Sequence, residues 1–167
     1  MLDEGGLKGL NLRALAARAG ITAGSMYHHY DSKAALLGEL AARGFMELRQ
    51  ELERADREAE RGRRLRGWAT TYFHFARREP ALFGLMFDDE IAGLPAVAPA
   101  REAALAVLRR MVGEVAAAQE RPDPPLDQIA LAIWAASHGA ALLAANRPDQ
   151  PELIDGVIAG LEALFRP

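Results

Sequence analysis

The chain has no cysteine in its 167 residues. That excludes a disulfide framework, a thiolate nucleophile, iron–sulfur ligation and thiolate zinc. No alternating run of β-branched residues is present, so nothing reads as a half-buried strand. No long hydrophobic run is present either: the stretch from Ile129 to Ala145 carries Ser137, His138 and Gly139 inside it. It falls short of the roughly 20 apolar residues of a spanning helix and reads as a buried helix. No secretory-type segment is recognisable at the start, and a cytoplasmic location is the expectation. The four histidines give no H-x-x-x-H and no E-x-x-H pair, so neither a metal nor any other cofactor is expected. No carboxylate pair and no Ser–His–acid spacing is visible in the pocket segment, which argues against an enzyme. A net charge of −3 argues against a protein that coats nucleic acid along its whole surface.

Charge is unevenly placed. Residues 1–46 hold Lys8, Arg13, Arg18, Lys33 and Arg43 against Asp3, Glu4, Asp31 and Glu39, leaving the rest of the chain acidic. A mildly positive end on an acidic body can touch DNA locally without wrapping it.

The residues that are periodic have the helical period throughout. Asn11 can cap a short helix over 12–19 that Gly20 stops, and Thr22 can cap a second over about 23–29. Asp31 or Ser32 then opens a long helix bearing Leu36, Leu37, Leu40, Phe45, Leu48 and Leu52. Beyond Leu52 its apolar stripe is lost, so it is expected to emerge into solvent and end near Gly62. Helices are expected over about 65–78, 81–87, 99–119, 124–146 and 150–165, with a loop over 88–99. The last helix can be capped by Asp149 with Glu152. The fold class is all-α.

Two short helices joined at Gly20 and Ile21 fit either a helix-turn-helix or an ordinary helical hairpin. In the first case the second helix enters the major groove with its N-terminal residues facing the bases. Gly24 then permits close backbone approach, and Ser25 lies near the positive helix N-terminus, suited to a phosphate.

The residue string decides further. LNLRALAARAGITAGSMYHHYDSKAALL, residues 10–37, resembles the DNA-binding segment of the TetR family of transcriptional repressors. The matching positions are Ala19-Gly20, Thr22, Gly24, Ser25, Met26, Tyr27, His29, Tyr30, Ser32-Lys33 and Leu36-Leu37. The resemblance implies phosphate contacts from Thr22, Ser25, Tyr27, His29 and Lys33. It places Arg13, Ala23, Gly24 and His28 at base edges. Arg13 is the long cation there able to reach a guanine with both nitrogens, or else a solvated helix-face arginine. Leu15, Met26 and Tyr30 read as core.

In the second half, Trp134-x-x-x-His138-Gly139 resembles the Trp-His-Gly signature of one subgroup of TetR ligand-binding domains. Trp134 and His138 share a helix face; the histidine is either a satisfied core residue or a polar contact to an effector. Trp68, Tyr72 and Phe75 also fall on one helical face. Together with Phe87 and Met111 they suit an adaptable apolar pocket, where the resemblance places the effector. The final two helices are apolar on more than one face. Leu142 and Leu143 on the first, with Ile154, Val157, Ile158, Leu161 and Phe165 on the second, suit a symmetric four-helix dimer contact, which the resemblance also implies.

These readings converge on a DNA-binding domain over 1–46 and an effector-binding and dimerisation domain over 47–167. The function they imply is that of a homodimeric repressor which releases a palindromic operator when a small, largely apolar effector binds. The alternatives are a helical ligand-sensing and dimerisation protein with weak or lost DNA binding, and a helical enzyme using the apolar cavity. One departure from the family is expected to matter. Only Met1 to Glu4 could represent the tail of the family's first helix, so that helix is largely missing and DNA affinity is expected to be weak.

Overall fold

The computed structural model describes residues 32–60, 63–118, 125–146 and 152–164. They form seven helices and no strand: α1 (Lys33–Glu58), α2 (Arg64–Arg78), α3 (Pro80–Met86), α4 (Asp89–Ala92), α5 (Val97–Ala118), α6 (Leu126–Asn146) and α7 (Glu152–Leu164). The two short helices expected before residue 30 and the Asp149 cap lie outside the described residues.

Of the two candidate caps for α1, Ser32 is described. Its Oγ accepts a hydrogen bond from the Ala35 N–H at 3.1 Å, satisfying one of the orphan donors of the first turn. Pro80 both stops α2 and opens α3 as its first residue, where a missing N–H costs nothing. The segment 88–99, expected as a loop, is more ordered than its prolines and acids suggest. Asp88 caps the single turn of α4 through the Glu90 N–H, and α5 starts at Val97 with Pro99 in its first turn. Buried Ile91 and Val97 anchor this segment. Two apolar side chains at non-periodic spacing leave no helical signature in the sequence.

The chain divides into two compact units at three points: two cuts fall inside helices, α1 between Glu47 and Leu48 and α5 between Glu102 and Ala103, and the third falls after Arg78, between α2 and α3. The described part of the first unit comprises residues 32–47 and 79–102. Residues 79–102, placed by sequence in the larger domain, therefore group with the start of α1. Its core combines Leu36, Leu37, Leu40 and Phe45 of α1 with Leu82, Phe83, Leu85 and Met86 of α3. Phe87 packs edge-on to Phe45 at 5.3 Å and tilted against Phe83 at 5.0 Å.

The second unit holds residues 48–78 and the described chain from 103 onward. Here α2, α6 and α7 pack on one another. Buried stripes run through Trp68, Tyr72 and Phe75 on α2, through Ala104, Leu108 and Met111 on α5, and through Ala130, Ile133 and Trp134 on α6. Arg66 of α2 grips Glu162 of α7 with two hydrogen bonds, at 3.0 and 2.7 Å.

The end of α1 corrects one expectation. Instead of emerging into solvent, it buries a carboxylate. Asp56 is 8% exposed and accepts from Arg64 Nε at 2.7 Å, while Arg110 Nη2 stands 3.7 Å from its other oxygen. Arg64 also pairs with Glu114 of α5. Those hydrogen bonds to Glu114 and Asp56 outweigh desolvation and hold the Arg64 guanidinium even more firmly protonated than usual. A charged network thus replaces the apolar stripe and ties α1 to α2 and α5.

Two glycines in the first unit distinguish packing from propensity. A Cβ at Gly44 would stand 2.7 Å from Met86 Sδ and 3.1 Å from Leu82 Cδ1, whereas one at Gly84 meets nothing within 4 Å. Gly44→Ala is therefore expected to destabilise by about 1–2 kcal/mol, overpacking outweighing the helix-propensity gain. Gly84→Ala is expected to stabilise by up to about 1 kcal/mol. Chemical denaturation of the two variants checks the opposite signs.

Candidate functional site

Two regions carry functional residues. Of the residues expected on DNA, Arg13, Thr22, Ala23, Gly24, Ser25, Tyr27, His28 and His29 lie outside the described residues. Lys33 is described: it opens α1 directly after the Ser32 cap and is exposed.

The second region is an aromatic cluster between α2 and α6. On α2, Trp68 stacks on Tyr72 with ring centroids 5.3 Å apart. Trp134 of α6 meets both rings, at 6.3 Å from Trp68 and 5.7 Å from Tyr72. Aromatic pairs in this range add about 0.5–1.5 kcal/mol beyond area burial. The Tyr72 hydroxyl and His138 Nδ1 share a hydrogen bond of 3.1 Å. Thus Trp68 and Tyr72 of one helix meet Trp134 and His138 of another. Phe75 and Met111 are buried on α2 and α5 of the same unit. Phe87 instead belongs to the first unit, between Phe45 and Phe83.

Burial sets the protonation of this cluster. Desolvation pushes the Tyr72 phenol far above its ordinary value and lowers the His138 imidazole, so both are neutral at pH 7. Among the buried polar atoms of the second unit with no hydrogen-bond partner among the described residues are Trp68 Nε1 and Ser137 Oγ. Both residues are 0% exposed. An unpaired buried polar group costs roughly 1–3 kcal/mol. Ser137 was not singled out from sequence, although a hydroxyl beside His138 in an otherwise apolar helix was its visible signal.

The aromatic rings are in direct contact, so no ligand fits between them in this arrangement. An open groove of about 420 Å³ lies elsewhere in the unit, lined by Glu51, Arg54, Ala55, Glu58, Thr70, Thr71, His74 and Arg78. It contains none of the expected ligand-binding residues. All of its lining residues except Ala55 carry a polar or charged group, and Arg78 is held by Glu51 at 2.7 Å.

The residues assigned to a dimer contact divide. Leu142 and Leu143 are exposed on α6, 48% and 50%, as is Leu131 at 59%. Ile154 and Val157 are half-buried. Ile158 and Leu161 face the core of the protomer, and Phe165 lies outside the described residues. A Cβ added to Gly139, Gly156 or Gly160 meets nothing within 4 Å, so packing among the described residues requires none of these glycines. The helix containing the apolar run is longer than that run. Leu126–Ala145 is long and apolar enough to cross a membrane by length and composition, and 33% of it is buried.

Comparison with known proteins identifies the fold's family. Residues 1–40 match the bacterial regulatory proteins of the tetR family, and residues 65–157 match the tetracyclin repressor-like C-terminal domain. The chain belongs to the TetR family. A stretch of 47 residues is 46% identical to the HTH-type transcriptional repressor KstR2 of Rhodococcus jostii (strain RHA1), covering 28% of this chain and 22% of that one. A solved structure of a protein of unknown function from Rhodococcus sp. RHA1 is 32% identical, with a TM-score of 0.75 over 98% of this chain and 87% of that chain. The structure of SCO4313, 21% identical with a TM-score of 0.67 over 95% of this chain and 87% of that one, bears on the fold alone. The match over residues 1–40 is to a family of bacterial regulatory proteins.

Two expectations arise from the cluster. Ser137→Ala removes an unpaired buried hydroxyl and inserts a better helix former, and is expected to raise unfolding stability by about 1 kcal/mol. That gain appears as roughly 2–4 °C in thermal unfolding. For His138 the folded value is depressed below about 6.5, so the unfolded chain binds the proton first. Its stabilising contribution is full above that pH and is lost as pH falls toward the folded value. Unfolding free energy measured from about pH 7.5 to 5 should therefore decline, and decline less in His138→Gln.

Proposed function

We propose that this TetR-family regulator is a cytoplasmic, homodimeric, ligand-responsive repressor that releases a palindromic operator when a small, largely apolar effector binds. The observation that carries this reading is the continuity of α1. It runs unbroken for 26 residues, roughly 39 Å at 1.5 Å per residue. Lys33 of the DNA-binding segment stands at its start. Near its end, Asp56 is locked to Arg64, the first residue of α2. The aromatic cluster rests on α2, so a shift of that helix acts directly on the last turns of α1.

Repression proceeds by population shift. DNA favours one separation of the two recognition helices, close to one helical turn or roughly 34 Å. The effector favours another, each through differential affinity. Thr22, Ser25, Tyr27, His29 and Lys33 clamp phosphates, while Arg13, Ala23, Gly24 and His28 read or approach base edges. Trp68, Tyr72, Phe75, Met111, Trp134 and His138 form the effector region, and Trp134, His138 and Gly139 support membership of the Trp-His-Gly subgroup. The likeness to KstR2 supports repression over activation. Dimerisation uses the outer faces of α6 and α7. The exposed Leu142 and Leu143, and the open space at Gly139, Gly156 and Gly160, suit close approach of a second copy.

Selection of genomic DNA fragments by the purified chain tests this reading and is expected to return a palindromic consensus. A small-molecule screen for release of the selected fragment tests ligand response. On that fragment, Lys33→Ala should weaken binding equally for all sequences and lower the salt slope by about one. Arg13→Ala should relax preference at one base pair per half-site by about 1–3 kcal/mol. Fluorescence anisotropy at several salt concentrations measures both. A chain that selects no sequence is a ligand-sensing and dimerisation protein without DNA binding.

A further inference from the structure

Two of the second unit's buried polar atoms without a hydrogen-bond partner among the described residues, Trp68 Nε1 and Ser137 Oγ, lie on α2 and α6, the helices that meet in the aromatic cluster. Trp68 lies against Tyr72 and Trp134. Ser137 comes three residues after Trp134 on the buried face of α6 and precedes His138, the partner of Tyr72. An indole N–H only donates, and a hydroxyl donates as readily as it accepts. Both are closed off from solvent and from protein partners, so the chemistry they lack is an acceptor oxygen. Buried unpaired polar groups are selected against in a merely structural core. Their retention here, between helices that belong to a regulator, marks a site that a ligand completes.

Resting on the ligand-responsive reading above, we propose that Trp68 Nε1 and Ser137 Oγ are the polar anchors of the effector, and that the effector is an uncharged, largely apolar molecule bearing a carbonyl oxygen. The rings supply apolar surface, and the two donors face the carbonyl. Charge is disfavoured by what surrounds them. Burial keeps Tyr72 and His138 neutral, and Arg66, two residues before Trp68, is held by both oxygens of Glu162. An anionic ligand would lose its hydration against neutral groups. Because the rings touch, the ligand enters by parting α2 from α6 and makes a minor open arrangement dominant. The displaced α2 carries Arg64, and with it the Asp56 lock on α1.

Trp68 and Trp134 are the two tryptophans of the chain, so intrinsic fluorescence of the full protein reports this site directly. Three probes of one shape separate the outcomes: acetyladamantane, a neutral ketone; isopropenyladamantane, without an acceptor oxygen; and adamantanecarboxylate, an anion. The ketone is expected to bind about tenfold tighter than either of the others, the ratio of one to two net hydrogen bonds. Ser137→Ala and Trp68→Phe should each reduce the ketone-to-alkene ratio. Ser137→Ala is the variant expected to fold at least as well as the native chain, so the measurement stands even where Trp68→Phe does not fold. A native ratio of one, a ratio unchanged in Ser137→Ala, or tightest binding of the carboxylate overturns the proposal. Failure of all three probes to bind also overturns it, and ligand response is then decided by the fragment-release screen alone.

Discussion

One helix has to serve two cores. The first half of α1 buries Leu36, Leu37, Leu40 and Phe45 in the unit completed by residues 79–102, and its second half buries Leu48 and Leu52 in the other unit. An amphipathic stripe sustained over that length requires every third or fourth residue to be apolar, which leaves little freedom in the residues after Lys33. Past Leu52 the stripe gives way to a carboxylate, and burying one is costly unless it is paired. Arg64 and Arg110 supply the pairing, and Arg64 is held in turn by Glu114. The end of the helix that starts in the DNA-binding segment is therefore fixed by directional charge contacts to α2 and α5.

The aromatic cluster obeys a different rule. It is closed and tightly stacked, yet it leaves Trp68 Nε1 and Ser137 Oγ without partners. A core selected only for stability would hold alanine or a paired group at 137. Violations of polar satisfaction gather where function requires them. The outer face of α6 makes the same point in apolar terms. Leu131, Leu142 and Leu143 are exposed on a helix whose other side packs against α2 and α7. Leucines exposed together on one helix suit a surface that another molecule covers.

Much of this was legible beforehand because it is either periodic or literal. The helices over 33–58, 64–78 and 126–146 arise from apolar residues recurring at the helical period. The DNA-binding segment is written in the run Ala19 to Leu37, read residue by residue. The contact of Tyr72 with His138 was foreshadowed only by each lying on an apolar helix face. What escaped reading depends on pairings between distant residues. Nothing local to Asp56 indicates that Arg64 and Arg110 will meet it. Nothing local to Phe87 separates the first unit from the second. Helix α7 is apolar on several faces, so its sequence is silent on whether Ile158 and Leu161 point inward, as they do, or outward.

In the proposed mechanism operator and effector act on one conformational equilibrium, and thermodynamic reciprocity tests it most directly. Operator affinity is measured with and without saturating effector, and effector affinity, from Trp68 and Trp134 fluorescence, with and without saturating operator. Coupling through α1 and α2 requires both dissociation constants to rise by one common factor, typically about 5- to 150-fold. Binding of each ligand at a strength indifferent to the other would contradict it.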